Sequence, residues 1–242
     1  MPDEEPQRIQ KVLAHAGVAS RRAVEEMIEQ GRVRVNGTKA RLGQRIDPAK
    51  DVVEVNGSQV PLQHDLRYLL LNKPVGVVTT ADDPEGRETV LDLIESDERL
   101  WPVGRLDIET EGAVLLTNDG ELTHRLTHPS FEVPKTYLAE VRGSAGNKVI
   151  KALLGGVELD DGPARAKSAR IVESARGDTL LELVLTEGRN REIRRMLDAL
   201  GFTVVGLVRV AIGPLRLGRL KAGTYRKLVP AEVMALYRAA GM

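Results

Sequence analysis

The chain has 242 residues, which exceeds one average domain but would crowd three, so we expect one small and one large domain. Its hydrophobic content of 42% and charged content of 29% are ordinary for a globular protein and exclude disorder throughout the chain. The absence of cysteine excludes disulfides, thiolate metal ligands and cysteine nucleophiles. No apolar run approaches the roughly 18 residues of a membrane span, and the acidic start does not resemble a signal peptide. We therefore expect a cytoplasmic protein without a membrane partner.

The net charge is zero, but the basic residues are unevenly distributed. Between Leu185 and Pro230 there are 10 lysines and arginines and only 3 acidic residues, Glu187, Glu192 and Asp198. A surface with this excess can neutralise phosphates, which indicates a nucleic-acid partner. The charge pattern alone is equally compatible with a solvated surface whose acidic partners lie elsewhere.

In chain order, the first predicted elements are two short helices. Apolar residues recur at helical spacing over residues 8–16, and Gly17 follows where a C-terminal cap is expected. Ser20 can cap a second helix that extends to Gln30, and Gly31 follows it. Each helix is amphipathic and is expected to bury one face.

Two Asn-Gly pairs then predict tight turns between strands. Residues 32–35 alternate polar and apolar side chains as a half-buried strand does, and residues 51–55 form a second strand pattern. Asn36-Gly37 follows the first pattern and Asn56-Gly57 follows the second, and such pairs are the strongest short hairpin signal. Residues 8–60 are therefore predicted to form a compact helix-helix-hairpin domain.

This helix-helix-hairpin segment resembles the S4 RNA-binding domain. The resemblance rests on four stretches in the expected order: Arg8–Leu13, Gly17–Arg22, Ile28–Gly31 and Val33–Gly37. In that family the two helices and the following strand present basic residues to structured RNA. The residues to which this implies an RNA-binding role are Lys11, Arg21, Arg22 and Arg34. The alternative is a small domain that docks onto its neighbour, with Arg21 and Arg22 serving only solubility.

A larger domain is expected after a linker at Pro61–Asp65, which lacks periodicity, and should comprise residues 66–242. The predicted strands cover residues 68–71, 75–80, 113–117, 137–141, 180–185 and 204–210. The predicted helices cover residues 90–94, 121–126, 148–154, 191–200 and 230–240. The fold class is therefore α+β, with a small S4-like domain followed by a larger domain around a mostly antiparallel central sheet.

A dense polar motif runs from Gly104 to Gly112 and precedes the apolar residues 113–117. The glycines at both ends allow sharp turns, so the carboxylate of Asp107 is expected in a loop just ahead of a buried strand. Such a loop can hold a reactive side chain rigidly. The residues alone do not establish this role, because an aspartate in such a loop is usually a turn residue that accepts backbone hydrogen bonds.

Several separated motifs together resemble the pseudouridine synthases of the RsuA/RluB family. They are Leu69–Pro74, Gly104–Gly112 with the following strand and Thr117–Gly120, Pro134–Tyr137, and Glu187–Leu197. They occur in the expected order, with the S4-like segment in front, and cover essentially the whole chain. The resemblance implies a pseudouridine synthase domain that breaks the bond between uracil N1 and ribose C1′ and rejoins the base through C5.

The resemblance also implies roles for individual residues. Asp107 matches the family's catalytic aspartate, which acts as a nucleophile or promotes loss of a ribose proton. Tyr137 matches a tyrosine that stacks on uracil and can take the C5 proton; the alternative is a strand tyrosine in the core. Arg194 matches the basic partner of the aspartate, in an ion pair that keeps the carboxylate ionised; the alternative partner is Arg191 or Arg195 on the same stretch. Lys73 either contacts RNA or closes a tight turn.

Further arginines are expected to contact RNA. Arg105 is expected to fill or stack upon the vacancy left by a flipped base, with a surface salt bridge to Glu109 or Glu111 as the alternative. Arg191 and Arg195 are expected to bind phosphates. No metal is expected, because the histidines are dispersed, and the family implies no cofactor.

We therefore predict an enzyme that converts one uridine of 23S ribosomal RNA to pseudouridine, most like the RluB-type enzyme. The expected partner is ribosomal RNA, free or in an assembly intermediate, and the expected state is a monomer. The alternatives are a 16S ribosomal RNA enzyme, a noncatalytic RNA-binding or ribosome-assembly factor, and an aspartate-based hydrolase in which Glu109 or Glu111 is the second carboxylate.

Overall fold

The computed structural model describes residues 6–48, 50–60, 62, 66–96, 98–175 and 177–242. The chain divides into two compact units. The first runs to Leu66 and includes Ser96–Arg99, and the second comprises Arg67–Glu95 and Leu100–Met242. Most of the predicted linker, Pro61 and residues 63–65, lies outside the described residues. No helix within the described ranges is long and apolar enough to cross a membrane.

The first unit combines short helices with two small sheets. Its elements are β1 (Gln7–Arg8), α1 (Ile9–His15), α2 (Arg21–Glu29), β2 (Val33–Val35), β3 (Thr38–Lys39), β4 (Arg45–Ile46), β5 (Val53–Val55) and β6 (Ser58–Val60). The larger sheet has the strand order β3-β2-β5-β6, and β1 pairs with β4 in the other.

Local sequence explains how the helices and hairpins of this unit form. The Ser20 hydroxyl accepts a hydrogen bond from the Ala23 N–H at 3.2 Å, as expected for a residue that caps α2. Asn36 and Gly37 have φ values of 48° and 78°, the positive values that the tightest hairpin turn requires, and they join β2 to β3. Asn56-Gly57 joins β5 to β6 in the same way. The predicted helices and both turns are therefore confirmed.

The second unit is built on one nine-stranded sheet. Its elements are β7 (Tyr68–Lys73), β8 (Trp101–Pro102), β9 (Glu111–Thr117), α3 (Gly120–Thr127), β10 (Lys135–Arg142), α4 (Asn147–Gly155), β11 (Ser168–Ala175), β12 (Asp178–Leu185), α5 (Glu192–Ala199), β13 (Val204–Ile212), β14 (Leu215–Arg216), β15 (Tyr225–Lys227) and α6 (Pro230–Ala239). The strand order is β11-β12-β10-β13-β9-β7-β15, with β14 beside β13 and β8 beside β9. Strands β9 and β13 pair in parallel, whereas their neighbours pair antiparallel, which confirms the predicted α+β class with a mostly antiparallel sheet.

Strand β9 follows the predicted catalytic loop and is buried on both faces. Ala113 and Leu115 belong to one hydrophobic cluster, and Val114 and Leu116 belong to another. A strand that is packed from both sides moves little, because close packing leaves its side chains no space. The predicted arrangement, a loop with Asp107 just ahead of a buried strand, is therefore confirmed.

The strand predicted for residues 75–80 is wrong. These residues form a turn and a single bridge between Val78 and Thr89. Their polar groups bind partners outside any strand ladder: the Val77 carbonyl accepts a hydrogen bond from the Lys73 ammonium, and the Thr79 hydroxyl binds the backbone of Leu106. The side chains of this segment that are typical of strands contribute to buried packing and not to strand pairing.

The helix predicted for residues 90–94 is also wrong, because a side chain closes the segment into a turn. Asp92 Oδ2 accepts hydrogen bonds from the N–H and the hydroxyl of Thr89, at 2.7 and 2.8 Å. Strand β11 was not predicted, since it lies at the edge of the sheet and most of its residues are exposed, which weakens the apolar alternation.

Candidate active site

A cleft of about 210 Å³ lies in the second unit. Its walls are formed by the loop around residues 105–110, by β10, and by the segment 187–193 that leads into α5. The predicted site residues that line it are Arg105, Asp107, Tyr137 and Arg191. A concave site where a few polar groups converge is a typical place for a ligand.

Backbone contacts hold the loop that carries Asp107. The Asp107 carbonyl accepts a hydrogen bond from the Thr110 N–H at 3.0 Å, which closes a tight turn. On one side, the Thr79 hydroxyl bonds both the N–H and the carbonyl of Leu106, at 3.2 and 2.9 Å. On the other side, the Ile108 carbonyl accepts from the Gly76 N–H at 2.9 Å. The neighbours of Asp107 are thus fixed, so the half-buried carboxylate has few positions available to it.

Lys73 is completely buried beside this loop. Its ammonium donates hydrogen bonds to the carbonyl oxygens of Val77 at 2.7 Å and Ile108 at 3.4 Å. Burial lowers the pKa of Lys73 to about 8, although the nearby carboxylates of Glu111 and Asp107 act in the opposite direction. The suggested RNA contact of Lys73 is therefore wrong, because its buried ammonium connects the turn after β7 to the loop that carries Asp107 instead.

The stability of the fold is expected to depend on the protonation of Lys73. Its pKa falls from the ordinary value of 10.5 to about 8 on folding, so the unfolded chain binds more protons than the folded chain between these values. The contribution of Lys73 to the free energy of unfolding therefore rises with pH in this window, by up to about 1.4 kcal/mol per pH unit. Chemical denaturation of the wild type and of Lys73→Met measures this contribution. The free energy of unfolding of the wild type, relative to that of the variant, should increase from about pH 8 upward. A difference that stays constant with pH would contradict a titrating, buried ammonium.

Tyr137 and Arg209 lie opposite each other in neighbouring strands of the sheet, β10 and β13. The Tyr137 side chain is half-buried and lines the cleft, so the structure brings it to the same site as Asp107. Arg209 is almost fully buried, and its Nε donates to the Ala113 carbonyl at 2.8 Å. This arginine, which the sequence did not single out, connects β13 to β9 close to the loop that carries Asp107.

The predicted ion pair between Arg194 and Asp107 is not present among the described residues. Arg194 contacts Glu109 instead: Nη2 donates to the Glu109 carbonyl at 3.0 Å, and Nε lies 3.8 Å from Oε2 of its carboxylate. Arg191 donates to the same Oε2 at 2.9 Å. The turn that starts at Asp107 places Glu109 next to these arginines, so one exposed carboxylate contacts two guanidinium groups. The hydrogen bond from Arg191 lowers the pKa of Glu109, which keeps the carboxylate charged.

The other arginines of this segment contact residues 161–163. Arg195 donates to both carboxylate oxygens of Asp161, at 2.9 and 3.0 Å. Arg189 donates to the carbonyls of Gly162 and Pro163, at 3.0 and 2.7 Å. Part of the positive charge that the sequence places here is therefore neutralised by acidic residues from elsewhere in the chain, and the predicted phosphate contact Arg195 has an internal partner.

Glu192 is a cleft residue that the sequence did not reveal. Its side chain is almost fully buried, and Oε2 accepts a hydrogen bond from the Arg189 N–H at 3.0 Å. Burial raises the pKa of Glu192 to about 7, and a side-chain hydrogen bond with the neighbouring Glu187 acts in the same direction. No sequence signal could have found it, because glutamate is ordinary in the first turn of a helix and its burial depends on tertiary packing.

Several polar atoms around the cleft are buried without a hydrogen-bond partner, which is uncommon and requires an explanation. In the part of the chain that the structure describes, these atoms include Thr110 Oγ1, Arg194 Nε and Arg209 Nη2. Thr110 lines the cleft itself.

The predicted RNA-binding residues of the first unit are accessible. Arg21 and Arg22 begin α2 and are exposed, and Lys11 on α1 is partly exposed. The burial pattern of β2 places Arg34 on the face opposite the core. These positions suit contact with a large polyanion.

Comparison with known proteins agrees with this architecture. Residues 67–199 match the RNA pseudouridylate synthase family, and residues 7–53 match the S4 domain. An uncharacterised RNA pseudouridine synthase of Mycobacterium tuberculosis is 51% identical over 240 residues, covering 97% of this chain and 94% of the relative. The ribosomal large subunit pseudouridine synthase B of Bacillus subtilis is 42% identical over 235 residues, covering 95% of each chain. A crystal structure of a pseudouridylate synthase has a TM-score of 0.67 and 31% identity, over 95% of this chain and 99% of that one.

The sequence match and the structural match cover the same regions. The family match extends over more than half of the chain, and the relatives align along nearly all of it. The cleft with Asp107 and Tyr137 lies within the unit that carries this match. The chain therefore belongs to the RNA pseudouridylate synthase family and carries an S4 RNA-binding domain ahead of its synthase domain.

Proposed function

We propose that this chain converts a uridine of 23S ribosomal RNA to pseudouridine, with Asp107 as its catalytic carboxylate. The observation that carries the proposal is that Asp107 and Tyr137 meet in one cleft of a pseudouridylate synthase domain. The Bacillus subtilis relative, 42% identical along 95% of this chain, is named for the large ribosomal subunit. That name supports 23S rather than 16S ribosomal RNA as the substrate.

The reaction replaces one bond between base and ribose by another, and the base loses one proton and gains one. The N1–C1′ bond breaks, the uracil turns, the C5–C1′ bond forms, C5 loses its proton and N1 gains one. The first step requires a carboxylate that either bonds to C1′ or takes a proton from the ribose. Asp107 suits both routes, because the contacts of Leu106 and Ile108 fix its backbone and the Lys73 ammonium adds positive charge nearby.

Tyr137 and Arg194 complete the proposed catalytic group. The half-buried ring of Tyr137 can stack on uracil, and its hydroxyl can receive the C5 proton. Arg194 has a buried Nε without a hydrogen-bond partner among the described residues. If an RNA phosphate displaces Glu109, the guanidinium becomes available to the Asp107 carboxylate, which it then orients.

RNA capture is assigned to both domains, which we place at residues 8–60 and 66–242 of a monomer. In the first domain, exposed basic side chains bind folded RNA. In the second, Arg105 fills the space that the flipped uridine leaves, and two arginines of the α5 segment bind phosphates. The residues assigned to RNA are Lys11, Arg21, Arg22, Arg34, Arg105, Arg191 and Arg195.

Glu109→Gln is expected to strengthen RNA binding. The carboxylate occupies Arg191 and Arg194 in the absence of RNA, so it competes with phosphate for both. An exposed ion pair of this kind is weak, so KM for RNA should fall only a few-fold at low salt while kcat changes little. The gain should disappear at high salt, where exposed charges are screened. Steady-state kinetics at several salt concentrations measures both effects.

The matched control for this variant is Glu182→Gln. Glu182 forms an exposed two-point pair with Arg170, at 2.7 and 2.8 Å, in strands β11 and β12. Its replacement removes the same charge from the same kind of pair, away from the cleft. Equal KM values for the two variants would contradict competition between Glu109 and RNA.

Pseudouridine mapping of both ribosomal RNAs tests the proposed function. RNA is taken from cells that lack the protein and from the same cells supplied with wild type or with Asp107→Ala, and pseudouridines are located by carbodiimide treatment and reverse transcription. We expect one site in 23S RNA to lose its signal in the deletion and to regain it only with the wild type. Loss of a 16S signal would keep the chemistry and overturn the substrate. An unchanged map, or equal rescue by Asp107→Ala, would favour a noncatalytic RNA-binding protein.

A further inference from the structure

We propose that an exposed ring cluster at the end of α3, formed by His124, His128 and Phe131, is a stacking surface for an unpaired base of the RNA beside the target uridine. The inference rests on the proposed function, because it requires RNA in the neighbouring cleft. It deepens that function by adding a contact to a base outside the cleft. None of the RNA-binding residues assigned above belongs to this cluster.

The local sequence brings the three rings together. His124 lies in the last turn of α3 and His128 follows four residues later, so both side chains lie on the same side of the helix end. A short 3₁₀ turn, Pro129–Phe131, then returns the chain so that Phe131 meets both histidines. The ring centroids of the two histidines are 5.2 Å apart, and that of Phe131 lies 5.8 Å from His124 and 6.2 Å from His128.

The cluster is exposed and yet held in place. Both histidines are exposed, and 36% of the surface of Phe131 is exposed. The planes of the two imidazoles meet the Phe131 ring at 79° and 74°. The Arg125 guanidinium lies over the same ring, 5.3 Å from its centroid, and is itself bound to Glu121 at 2.8 Å. A ring that is already fixed loses little conformational freedom when a base stacks on it.

The cluster adjoins the segments that form the cleft. Thr127, which lies between the two histidines in the sequence, is against Gly104: a Cβ atom on Gly104 would be 3.5 Å from the Thr127 methyl group. Gly104 directly precedes Arg105, which lines the cleft. Beyond the 3₁₀ turn, the chain continues into β10, which carries Tyr137 of the cleft. The nucleotides on either side of a uridine in the cleft must cross its rim, and the cluster lies beside two segments of that rim.

The chemistry of the cluster favours a base over a phosphate or a protein partner. Arg125 is already bound within the chain, and the exposed Glu132 directly follows Phe131, so a phosphate would gain little here. The exposed neighbours Thr127 and Ser130 are polar, which does not suit a protein partner that buries a continuous apolar surface. Aromatic and imidazole rings instead offer flat faces on which any unpaired base can stack.

A purely structural role makes different demands on Phe131. A side chain that only packs against the end of α3 needs apolar volume but not a flat ring. Phe131→Leu keeps the apolar volume and removes the ring, whereas Phe131→Trp keeps a ring. A structural role therefore predicts a change in stability without a change in affinity for RNA.

The experiment compares wild type, Phe131→Leu and Phe131→Trp on the 23S RNA fragment that contains the target site. Fluorescence anisotropy gives the dissociation constant at several salt concentrations, and urea denaturation checks folding. We expect Phe131→Leu to weaken binding by about five- to tenfold, the lower range for the loss of one stacked base, and Phe131→Trp to remain within about twofold of the wild type. Because no phosphate contact is lost, the salt dependence of Phe131→Leu should equal that of the wild type. Arg191→Gln should show a weaker salt dependence.

RNA fragments with one abasic nucleotide on either side of the target uridine identify the base that stacks. At the contacted position, wild type and Phe131→Leu should bind the abasic fragment equally, because the ring and the base contribute only together. Abasic nucleotides at other positions should leave the five- to tenfold difference between the two proteins unchanged.

Three results would overturn the inference while the wild type converts the fragment. They are equal affinities of wild type and Phe131→Leu, a weaker salt dependence of Phe131→Leu, and a difference between the two proteins that every abasic fragment preserves. If Phe131→Leu does not fold, His124→Ala, which removes another ring of the cluster from an exposed helix position, decides in its place. A wild type that converts no uridine of any ribosomal RNA would instead contradict the proposed function, so the two failures are distinguishable.

Discussion

Asp107→Asn is expected to abolish pseudouridine formation, with a decrease in kcat of at least about 1000-fold. The amide has nearly the shape of the carboxylate but can neither bond to C1′ nor take a proton from the ribose. The hydrogen bonds that shape the loop involve the backbone of Asp107 and Leu106, so the substitution leaves them in place. The loss should therefore be chemical rather than structural.

Single-turnover rates and RNA binding should be measured on the same preparations of this variant. Because the RNA-binding arginines are untouched, the dissociation constant for RNA should remain within about threefold of the wild type. Asp198→Asn is the matched control: it neutralises an exposed aspartate of α5 and should leave the rate unchanged. A rate for Asp107→Asn within about tenfold of wild type would rule out Asp107 as the catalytic carboxylate.

Gly112→Ala is expected to lower the free energy of unfolding by about 3–5 kcal/mol. Gly112 is paired with Arg209 where the parallel strands β9 and β13 meet. A Cβ atom here would overlap the Arg209 carbonyl and lie 2.7 Å from its nitrogen, and the φ of 109° is unfavourable for any other residue. The backbone cannot easily yield, because the Arg209 side chain is itself bound to the Ala113 carbonyl. Since Gly112 lies at the start of β9, just after the loop that carries Asp107, we expect kcat to fall as well.

The variant Gly156→Ala separates the two causes of this loss, which are the close contact with Arg209 and the positive φ. Gly156 has nearly the same φ, 112°, but a Cβ atom there meets nothing closer than the Ala164 carbonyl at 4.0 Å. Its free energy of unfolding should fall only by the cost of the strained backbone, about 1–2 kcal/mol. Urea denaturation of both variants gives the comparison. Equal losses would show that the close approach to Arg209 is not the reason for glycine at position 112.

Local patterns in the sequence determined much of this protein. The Ser20 cap and the Asn36-Gly37 turn were predictable because each depends on a side chain or a φ preference within a few residues. The loop position of Asp107 followed from glycines on either side of it and an apolar strand after it. The motifs of a known family, spread along the chain in order, then predicted the synthase fold and the family.

Tertiary structure alone decided which charged groups meet and which are buried. Arg194 contacts Glu109 rather than Asp107, because the turn after Asp107 presents Glu109 to the start of α5. Lys73 and Glu192 look like ordinary surface residues in the sequence, yet both are buried and both have shifted pKa values. Burial and ion pairing arise from segments distant in sequence that pack together, so no local pattern records them. The sequence by itself thus determined most of the elements, the family and the position of the loop that carries Asp107, whereas packing decided the electrostatics of the cleft.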